Sequence, residues 1–408
     1  PLWSRGLGDV YKRQGVGCYG FKKAGFKCAA TSELIERRLN IQKLNHKALY
    51  DESYVLGDIT KFETKKMLYH SVNNYLFKEN EKNIDAVIFT APCQGMSVAN
   101  HKKNDGTIER NSLVIEALEI VKKLKPNFFI AENVRSFMNT TCIDHDKSLK
   151  IEEAFENWLG DEYNYLTKVI NFKDYGANSS RTRTLVIGAR KDRFEENIIE
   201  YLFPDKEKPK SLREVIGELP SLKNMGDIYS KDFYHNFKPY REDMRDWIAP
   251  LKEGENAFDN IKPSQRPHKI VNGERVFNVN KNGDKYRRQN WDKVAPCVHT
   301  RNDIISSQNT IHPNDDRVFS IRELMLMMNI PRDFRWIADY SLDQLNKLSD
   351  DSKKKLLKEN EINIRQSIGE AVPTIIMEKI ARRIKEVLEN GKLIQKNKNY
   401  NKQLQFNL

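Results

Sequence analysis

The strongest constraint on the fold is a strand–helix–strand pattern between residues 84 and 131. Short apolar runs around 84–89 and at 128–131 have the length of buried strands. Between them, residues 112–124 carry apolar side chains at helical spacing, at Leu113, Val114, Ala117, Val121 and Leu124. A strand, a helix and a second strand in this order form a crossover that makes the two strands parallel neighbours. The sequence therefore predicts an α/β fold built on a parallel sheet.

A cysteine and a glutamate follow these two strands. Cys93 comes after the first run, between Pro92 and Gln94, and Glu132 ends the second run. Ligands bind outside the carboxyl ends of the strands in such sheets, so we expect the thiol and the carboxyl group to share one cleft. A thiolate there acts as a nucleophile, and a carboxyl group acts as an acid or a hydrogen-bond donor. The alternative for Cys93 is a buried structural cysteine.

The first sixty residues contain a glycine-rich turn and two acidic residues that suit a nucleotide. The turn includes Gly15 and Gly17, and Glu33 follows a candidate strand at 26–30. An acidic residue about 20 positions after a glycine turn is placed to accept hydrogen bonds from ribose hydroxyls. The alternative for Glu33 is an acidic residue that stabilises a helix start. Asp58 and Ile59 follow the short run at 54–56, where Asp58 alone is an ordinary turn residue.

Two arginines precede a further strand at 184–188. Arg181 and Arg183 occupy alternate positions, which places both guanidinium groups on one face of an extended chain. Such a pair suits a phosphate or a base carbonyl. The alternative is a solvated basic edge.

The net charge and the spacing of the cysteines limit the classes of function that this chain can have. The 408-residue chain has a net charge of +12, with 69 Lys and Arg against 57 Asp and Glu. A positive excess suits binding to a polyanion such as nucleic acid, and a Lys-rich proteome is the alternative explanation. The five cysteines are scattered without C-x-x-C spacing, which favours reduced thiols in a cytoplasm and no metal site. No apolar run is long enough to cross a membrane.

Together, the segments Pro92-Cys93-Gln94 and Glu132-Asn133-Val134 resemble the motifs of the DNA (cytosine-5)-methyltransferase family, in its prokaryotic, restriction-modification form. The resemblance covers residues 15–190 and 295–385. It implies a Rossmann-like methyltransferase sheet with helices on both faces, which binds S-adenosylmethionine, and a smaller, irregular target-recognition domain. It also implies methyl transfer to carbon 5 of a flipped-out cytosine in a specific duplex DNA sequence, through a covalent adduct with Cys93.

The resemblance also assigns roles to individual residues. The expected catalytic residues are Cys93, Glu132, Arg181 and Arg183. The expected cofactor-binding residues are Gly15, Gly17, Glu33, Asp58, Ile59, Pro92 and Glu370. The expected DNA-binding residues are Gln94, Ser97, Arg301 and Arg322. The chain departs from the family pattern at Ser179 and Ser367, where glutamine is expected, and at Glu370, where asparagine is expected.

The expected domain organisation is discontinuous. Residues 1–14 contain no strand-like run, and we expect them to be a non-native leader in place of the family's first strand. Residues 15–190 form the catalytic and cofactor-binding domain, 191–311 the proline-punctuated target-recognition domain, and 312–390 the return to the catalytic domain. Residues 391–408 are a basic polar tail. An apolar helix at 374–387 is expected to pack beside the amino-terminal glycine turn.

Two other functions remain open from the sequence. One is a cytosine-5 methyltransferase that acts on tRNA, although the long stretch at 190–311 favours DNA. The other is a catalytically impaired DNA-binding homologue, since the first family motif is incomplete. The expected partners are duplex DNA and a restriction endonuclease encoded nearby. The protein is expected to be a bacterial, cytoplasmic monomer that acts at the nucleoid.

Overall fold

The computed structural model describes residues 6–10, 15–91, 111–278 and 282–390. The chain divides into two compact units. The first unit comprises residues 1–170, 182–206 and 374–408, and the second comprises 171–181 and 207–373. The second unit is therefore larger than the predicted segment 191–311. It includes residues 312–373, which we had expected to return to the catalytic domain.

The first unit is built on a seven-stranded sheet. The strands of this unit, in chain order, are β1 Gly6–Val10, β2 Lys27–Glu33, β3 Tyr54–Leu56, β4 Ala86–Phe89, β5 Phe128–Asn133, β6 Thr141–Asp144, β7 Lys147–Lys150, β8 Tyr163–Asn171 and β9 Thr182–Arg190. Their order in the sheet is β3-β2-β1-β4-β5-β9-β8, and β6 and β7 form a separate hairpin. The pairs from β3 to β5 are parallel, whereas β9 runs antiparallel to β5.

Helices connect the strands of the first unit, and further helices occur in the second unit. Those before the second unit are α1 Val16–Lys23, α2 Glu36–Leu44, α3 Phe62–Lys78, α4 Leu113–Leu124, α5 Ile151–Leu159 and α6 Ile198–Leu202. Those of the second unit are α7 Leu212–Ile216, α8 Arg245–Ile248, α9 Ile321–Met327, α10 Leu342–Lys347 and α11 Asp350–Glu370. The chain then returns to the first unit in α12 Thr374–Asn390. No helix in the described ranges has the length and apolar character needed to cross a bilayer.

The strand order reverses direction between β1 and β4. From β1 the chain moves outward to β2 and β3, and it then returns to place β4 on the other side of β1. Right-handed crossovers in opposite directions place their helices on opposite faces of the sheet. The predicted α/β class with helices on both faces is confirmed. Ligands in such sheets bind beside this reversal, outside the carboxyl ends of the strands.

The amino-terminal segment forms a strand, contrary to our expectation. Residues 6–10 pair in parallel with both β2 and β4, with Leu7 opposite Cys28 and Ala86. The expectation that residues 1–14 lack a strand was therefore wrong. Strand pairing depends on main-chain hydrogen bonds, which a segment with little apolar patterning also makes when two flanking strands present free edges.

The carboxyl-terminal helix packs against the helix of the glycine-rich segment, as predicted. A Cβ atom at Gly20 of α1 would lie 2.5 Å from the main-chain nitrogen of Glu378 and 2.5 Å from the carbonyl oxygen of Thr374, both in α12. The Thr374 hydroxyl donates a hydrogen bond to the carbonyl oxygen of Val16 over 3.3 Å. Only glycine permits this approach, so residue 20 joins the two ends of the described chain into one unit.

The second unit has few strands and depends on buried ion pairs. Arg317 is fully buried, and its Nη1 and Nη2 atoms each donate to a Glu323 carboxylate oxygen over 2.8 Å. Asp315 accepts from Arg317 Nε over 3.0 Å. Ser320 and Glu323 form the predicted capping box at the start of α9. Burial by itself raises the pKa of Glu323, but the charge of Arg317, its hydrogen bonds and the other neighbouring groups together outweigh burial and hold this pKa below the ordinary value.

A buried histidine completes this ionic cluster. Burial lowers the pKa of His312 to about 4. Its Nδ1 atom accepts hydrogen bonds from the main-chain N–H groups of Asn314 (3.2 Å) and Asp315 (2.9 Å). An accepting nitrogen cannot carry a proton, so these contacts favour the neutral imidazole.

We expect Gly20→Ala to destabilise the first unit. The added methyl group would overlap main-chain atoms of α12, and overpacking of this kind costs about 1–3 kcal/mol. Denaturant unfolding of the full chain measures the change. Gly283→Ala is the control, because its added Cβ would have no heavy atom closer than 3.9 Å. Equal destabilisation by the two variants would contradict the packing argument.

We expect the second unit to lose stability as the pH falls from 6.5 towards 4. The folded-state pKa of His312 lies below its ordinary value of 6.5, so the unfolded chain binds the proton first. The free energy of unfolding should fall by about 2 kcal/mol between pH 7 and pH 5. This pH range lies above the ordinary pKa values of Asp and Glu side chains such as Asp315 and Glu323. Unfolding measured across this range should be flatter in His312→Gln. The exposed His70→Gln is the control, and an unchanged slope in His312→Gln would refute the assignment.

Candidate active site in the first unit

An arginine and a glutamate meet at the carboxyl end of β5. Because β9 is antiparallel to β5, the start of β9 lies beside the end of β5, with Thr184 opposite Asn133 and Leu185 opposite Glu132. Arg183 Nε lies 3.2 Å from Glu132 Oε1. The side chain of Glu132 is 8% exposed and that of Arg183 is 18% exposed. The pair is thus largely removed from water at the edge where ligands bind in such sheets.

The Glu132 carboxylate has remaining hydrogen-bonding capacity. Within the described part of the chain, its Oε1 atom is buried and accepts no hydrogen bond of good geometry, although Arg183 is at ion-pair distance. A buried polar atom without a hydrogen bond is costly in a protein that has no partner for it. The arrangement therefore suits a ligand that carries an N–H donor.

Asn133 positions the chain that leads to the predicted nucleophile. Its Nδ2 atom donates to the carbonyl oxygen of Ala91 over 3.0 Å, and its Oδ1 atom accepts from the N–H group of Val134 over 2.8 Å. Asn133 belongs to the motif Glu132-Asn133-Val134, whose spacing alone predicts no role for its amide. Four predicted site residues lie just beyond Ala91 and outside the described residues: Pro92, Cys93, Gln94 and Ser97.

Glu33 lies at the carboxyl end of β2, as predicted for a ribose-binding residue. Its Oε1 atom accepts a hydrogen bond from the N–H group of Ile35 over 3.0 Å and lies 3.8 Å from Arg38 Nη1. Burial raises the pKa of this carboxyl group, and the Ile35 hydrogen bond and the Arg38 charge oppose the rise. The Ile35 hydrogen bond uses Oε1, and a carboxylate at this strand end is an acceptor that fits the hydroxyl groups of a ligand diol.

The other described residues of this unit that were predicted to bind the cofactor lie at the same edge. Gly15 has a φ of +75° and precedes α1, whose first turn contains the buried Gly17. Asp58 closes the turn after β3, where its Oδ1 atom accepts from the N–H and hydroxyl groups of Thr60. Ile59 is fully buried, so its side chain presents no surface to a ligand in this conformation.

Two apolar side chains beside Glu33, which the sequence patterns did not predict as site residues, are exposed. Leu34 is 55% exposed and Ile35 is 39% exposed, both directly after β2. Exposed apolar side chains next to Glu33 offer a surface on which a flat ring such as adenine can lie. A run of two apolar residues after an acidic strand end is the signal that would have identified them.

Arg181 has different partners from Arg183 and belongs to the second unit. Its Nη1 atom donates to the carbonyl oxygens of Val298 (3.3 Å) and Gly369 (3.2 Å). These contacts link the segment around residue 298 to the end of α11. Its expected catalytic role stays a prediction. Glu370, the last residue of α11, accepts a hydrogen bond from Gln366 over 3.1 Å, and its cofactor role also stays a prediction.

The two arginines expected to bind DNA differ in accessibility. Arg301 is exposed and lies 2.9 Å from Asp303, so contact with a polyanion remains open to it. Arg322 is fully buried, and its Nε and Nη2 atoms donate to Asp232 over 2.6 and 3.1 Å. The assignment of Arg322 as a DNA-binding residue is therefore corrected. A side chain without exposed surface cannot reach a phosphate, and this one supports the second unit.

Relatives of this chain include methyltransferases of restriction-modification type. It is 29% identical over 391 residues to the type II methyltransferase M1.HgaI of Avibacterium volantium, covering 92% of this chain and 97% of the relative. It is 27% identical over 383 residues to M1.HphI of Haemophilus parahaemolyticus, covering 94% and 87%.

Solved structures share the fold. A DNA modification methyltransferase encoded in an E. coli prophage superposes with a TM-score of 0.64 at 20% identity, covering 95% of this chain and 100% of that chain. The Dnmt2 methyltransferase of S. pombe gives 0.52 at 12% identity, covering 94% and 99%. The family model for C-5 cytosine-specific DNA methylases matches residues 14–386. The chain therefore belongs to this family, whose members transfer a methyl group to carbon 5 of cytosine in DNA.

Proposed function

We propose that Glu132 and Arg183 bind the cytosine that this enzyme methylates, and that Cys93 attacks it. The observation that carries the proposal is the buried Arg183–Glu132 contact of 3.2 Å, with a Glu132 oxygen that receives no hydrogen bond from any described residue. Cytosine presents an exocyclic amine beside ring nitrogen 3. A carboxyl group facing that edge distinguishes it from bases that lack the amine.

The chemistry follows from the weak nucleophilicity of carbon 5. The Cys93 thiolate adds to carbon 6, which turns the ring into an enamine whose carbon 5 is nucleophilic. Glu132 accepts a hydrogen bond from the exocyclic amine and, when its carboxyl group carries a proton, donates one to ring nitrogen 3, and both stabilise the charge that develops on the ring. Carbon 5 then accepts the methyl group and loses its proton, and the carbon–sulfur bond breaks to restore Cys93 and the aromatic ring. A stacked base cannot be attacked from its face, so the cytosine is flipped out of the duplex.

S-adenosylmethionine, when bound, supplies the methyl group as an electrophile. Glu33 would accept hydrogen bonds from the ribose diol, and Leu34 and Ile35 would offer an apolar surface to the adenine. Gly15 and Asp58, on loops, and Gly17, in the first turn of α1, lie at the same edge of the sheet as Glu33. Pro92, the main chain of Ile59 and Glu370 are the remaining candidates for cofactor contact.

The second unit is proposed to recognise the DNA target. Arg301 is its exposed candidate for a phosphate contact, and Gln94 and Ser97 are candidates for contacts near the flipped base. The names of the relatives, which are type II methyltransferases, support duplex DNA as the substrate and a cognate endonuclease encoded nearby. We expect the protein to act as a monomer.

We expect tritiated methyl transfer to duplex DNA and not to tRNA, and no transfer by Cys93→Ala. DNA containing 5-fluorocytosine should form a stable adduct with the parent protein, because fluorine at carbon 5 cannot leave as a proton. The adduct should be absent in Cys93→Ala and present in Cys297→Ala. Transfer that persists in Cys93→Ala would refute the covalent mechanism. Transfer to tRNA alone would favour the RNA-methylating alternative.

We expect Arg183→Ala and Glu132→Gln each to lower kcat by about 100-fold or more, the usual contribution of a positioned catalytic group. The affinity for S-adenosylmethionine should be unchanged, because neither residue is among the proposed cofactor contacts. Arg190→Ala is the matched control, since Arg190 ends the same strand at the opposite edge of the sheet. Double-variant kinetics should be non-additive, and fully additive losses would show that the two side chains do not act together.

A further inference from the structure

A two-stranded hairpin projects from the second unit and has no assigned role. Its strands are β10 His268–Val271 and β11 Glu274–Phe277, joined by Asn272 and Gly273, which both have positive φ. We propose that this hairpin enters the major groove of the DNA, where Arg275 reads a guanine and Lys269 contacts the phosphate backbone. The proposal rests on the proposed DNA-methylating function and names the element that selects its sequence.

The base of the hairpin is fixed in a small aromatic core. His268 is 9% exposed, and its ring centroid lies 5.3 Å from that of Trp247 and 5.9 Å from that of Phe277. Trp247 is buried and also contacts Tyr286, with centroids 5.8 Å apart. The Asn278 N–H group extends the ladder by donating to the carbonyl oxygen of Pro267 over 3.1 Å. The hairpin is therefore held at one end.

Beyond this base the hairpin is exposed on both faces. Residues 269–277 are all exposed. Opposite residues share a face, so Ile270 lies beside Arg275 on one face and Lys269 lies beside Val276 on the other. Ile270 is 60% exposed, Val276 is 51% exposed and Val271 is 48% exposed. Each face thus carries one basic side chain next to an unburied apolar one.

The dimensions match the proposed partner. Four strand residues span about 10–13 Å at roughly 3.3 Å per residue. The major groove is about 12 Å wide and about 8.5 Å deep, and it admits a two-stranded ribbon. A hairpin anchored at His268 can therefore reach base edges with its turn while its base stays outside the groove.

The side chains suit groove contacts. Arginine donates two hydrogen bonds to guanine, and apolar side chains contact the methyl group of thymine. Lys269 and Lys285 line one cavity of about 430 Å³ at the base of the hairpin, where two ammonium groups suit a phosphate. Within the exposed ribbon, Lys269 and Arg275 outnumber the single acidic residue Glu274.

A protein partner fits this surface less well. A stable protein interface needs roughly 800 Å² from each side, and it is depleted in charge at its centre. The four exposed apolar side chains of the hairpin are separated by lysine, arginine and glutamate. A mixed basic and apolar ribbon is instead the composition expected for groove contact.

The test begins with the full-length parent enzyme, whose methylated sequence is found by methylome sequencing. Arg275→Ala should relax the preference at one position of that sequence by about 10- to 100-fold and leave the other positions unchanged. Lys269→Gln should weaken DNA binding equally for all sequences and reduce the slope of log K against log salt by about 0.9. The exposed helix residue Lys354→Gln is the matched control and should change neither quantity.

The outcomes separate this inference from the proposed function. Absence of methylation by the parent would refute the function itself. If the parent methylates DNA, but Arg275→Ala and Lys269→Gln match Lys354→Gln in sequence preference and in DNA binding, only the hairpin assignment is overturned. A third outcome concerns contact between copies of the chain. If light scattering shows a dimer that is lost in the Ile270→Asn variant, and Arg275→Ala keeps the parent's sequence preference, the hairpin mediates that contact. This outcome would also overturn the proposed DNA contact. Thermal melting curves of the variants that match the parent's exclude misfolding as the cause of any change in sequence preference or DNA binding.

Discussion

The contact between Glu132 and Arg183 depends on one reversal of strand direction. The strands from β3 to β5 are parallel, so their carboxyl ends share one edge, whereas β9 is antiparallel and brings its first residues to that edge. A parallel neighbour would have carried Arg183 to the opposite edge. The reversed strand therefore supplies the cation that a largely buried carboxylate requires, and it does so from a rigid sheet.

The same edge is completed by parts of the chain that are distant in sequence. Gly20 lets α12 approach α1 closely, which fixes the helix that follows the glycine-rich turn. Asn133 ties the end of β5 to Ala91, directly before the segment that contains Cys93. The site is thus assembled by tertiary contacts around short, locally determined strands, and these contacts control the separation of its loops.

The described part of the second unit is held together by buried arginines more than by strand pairing. It has few strands to satisfy its main chain, and buried arginines take that role: Arg181, Arg317 and Arg322 all bind carbonyl or carboxylate oxygens inside it. Buried ion pairs fix geometry more reliably than they add stability, because each charge must be removed from water. A unit held together by such buried contacts can contain irregular loops and an exposed hairpin, because the surface residues of these segments are not needed for its packing.

The sequence alone determined the features that depend on neighbouring residues. Apolar runs marked β4 and β5, helical spacing marked α4, and Ser320 with Glu323 marked the start of α9, because each pattern acts over a few positions. The placement of Glu33 and Glu132 at strand ends followed from the same local patterns. Tertiary structure decided what depends on distant partners: the strand at residues 6–10, the burial of Arg322 against Asp232, the division of Arg181 and Arg183 between two units, and the extent of the second unit. Alternation along a chain specifies which side chains share a face, but only packing specifies what that face meets.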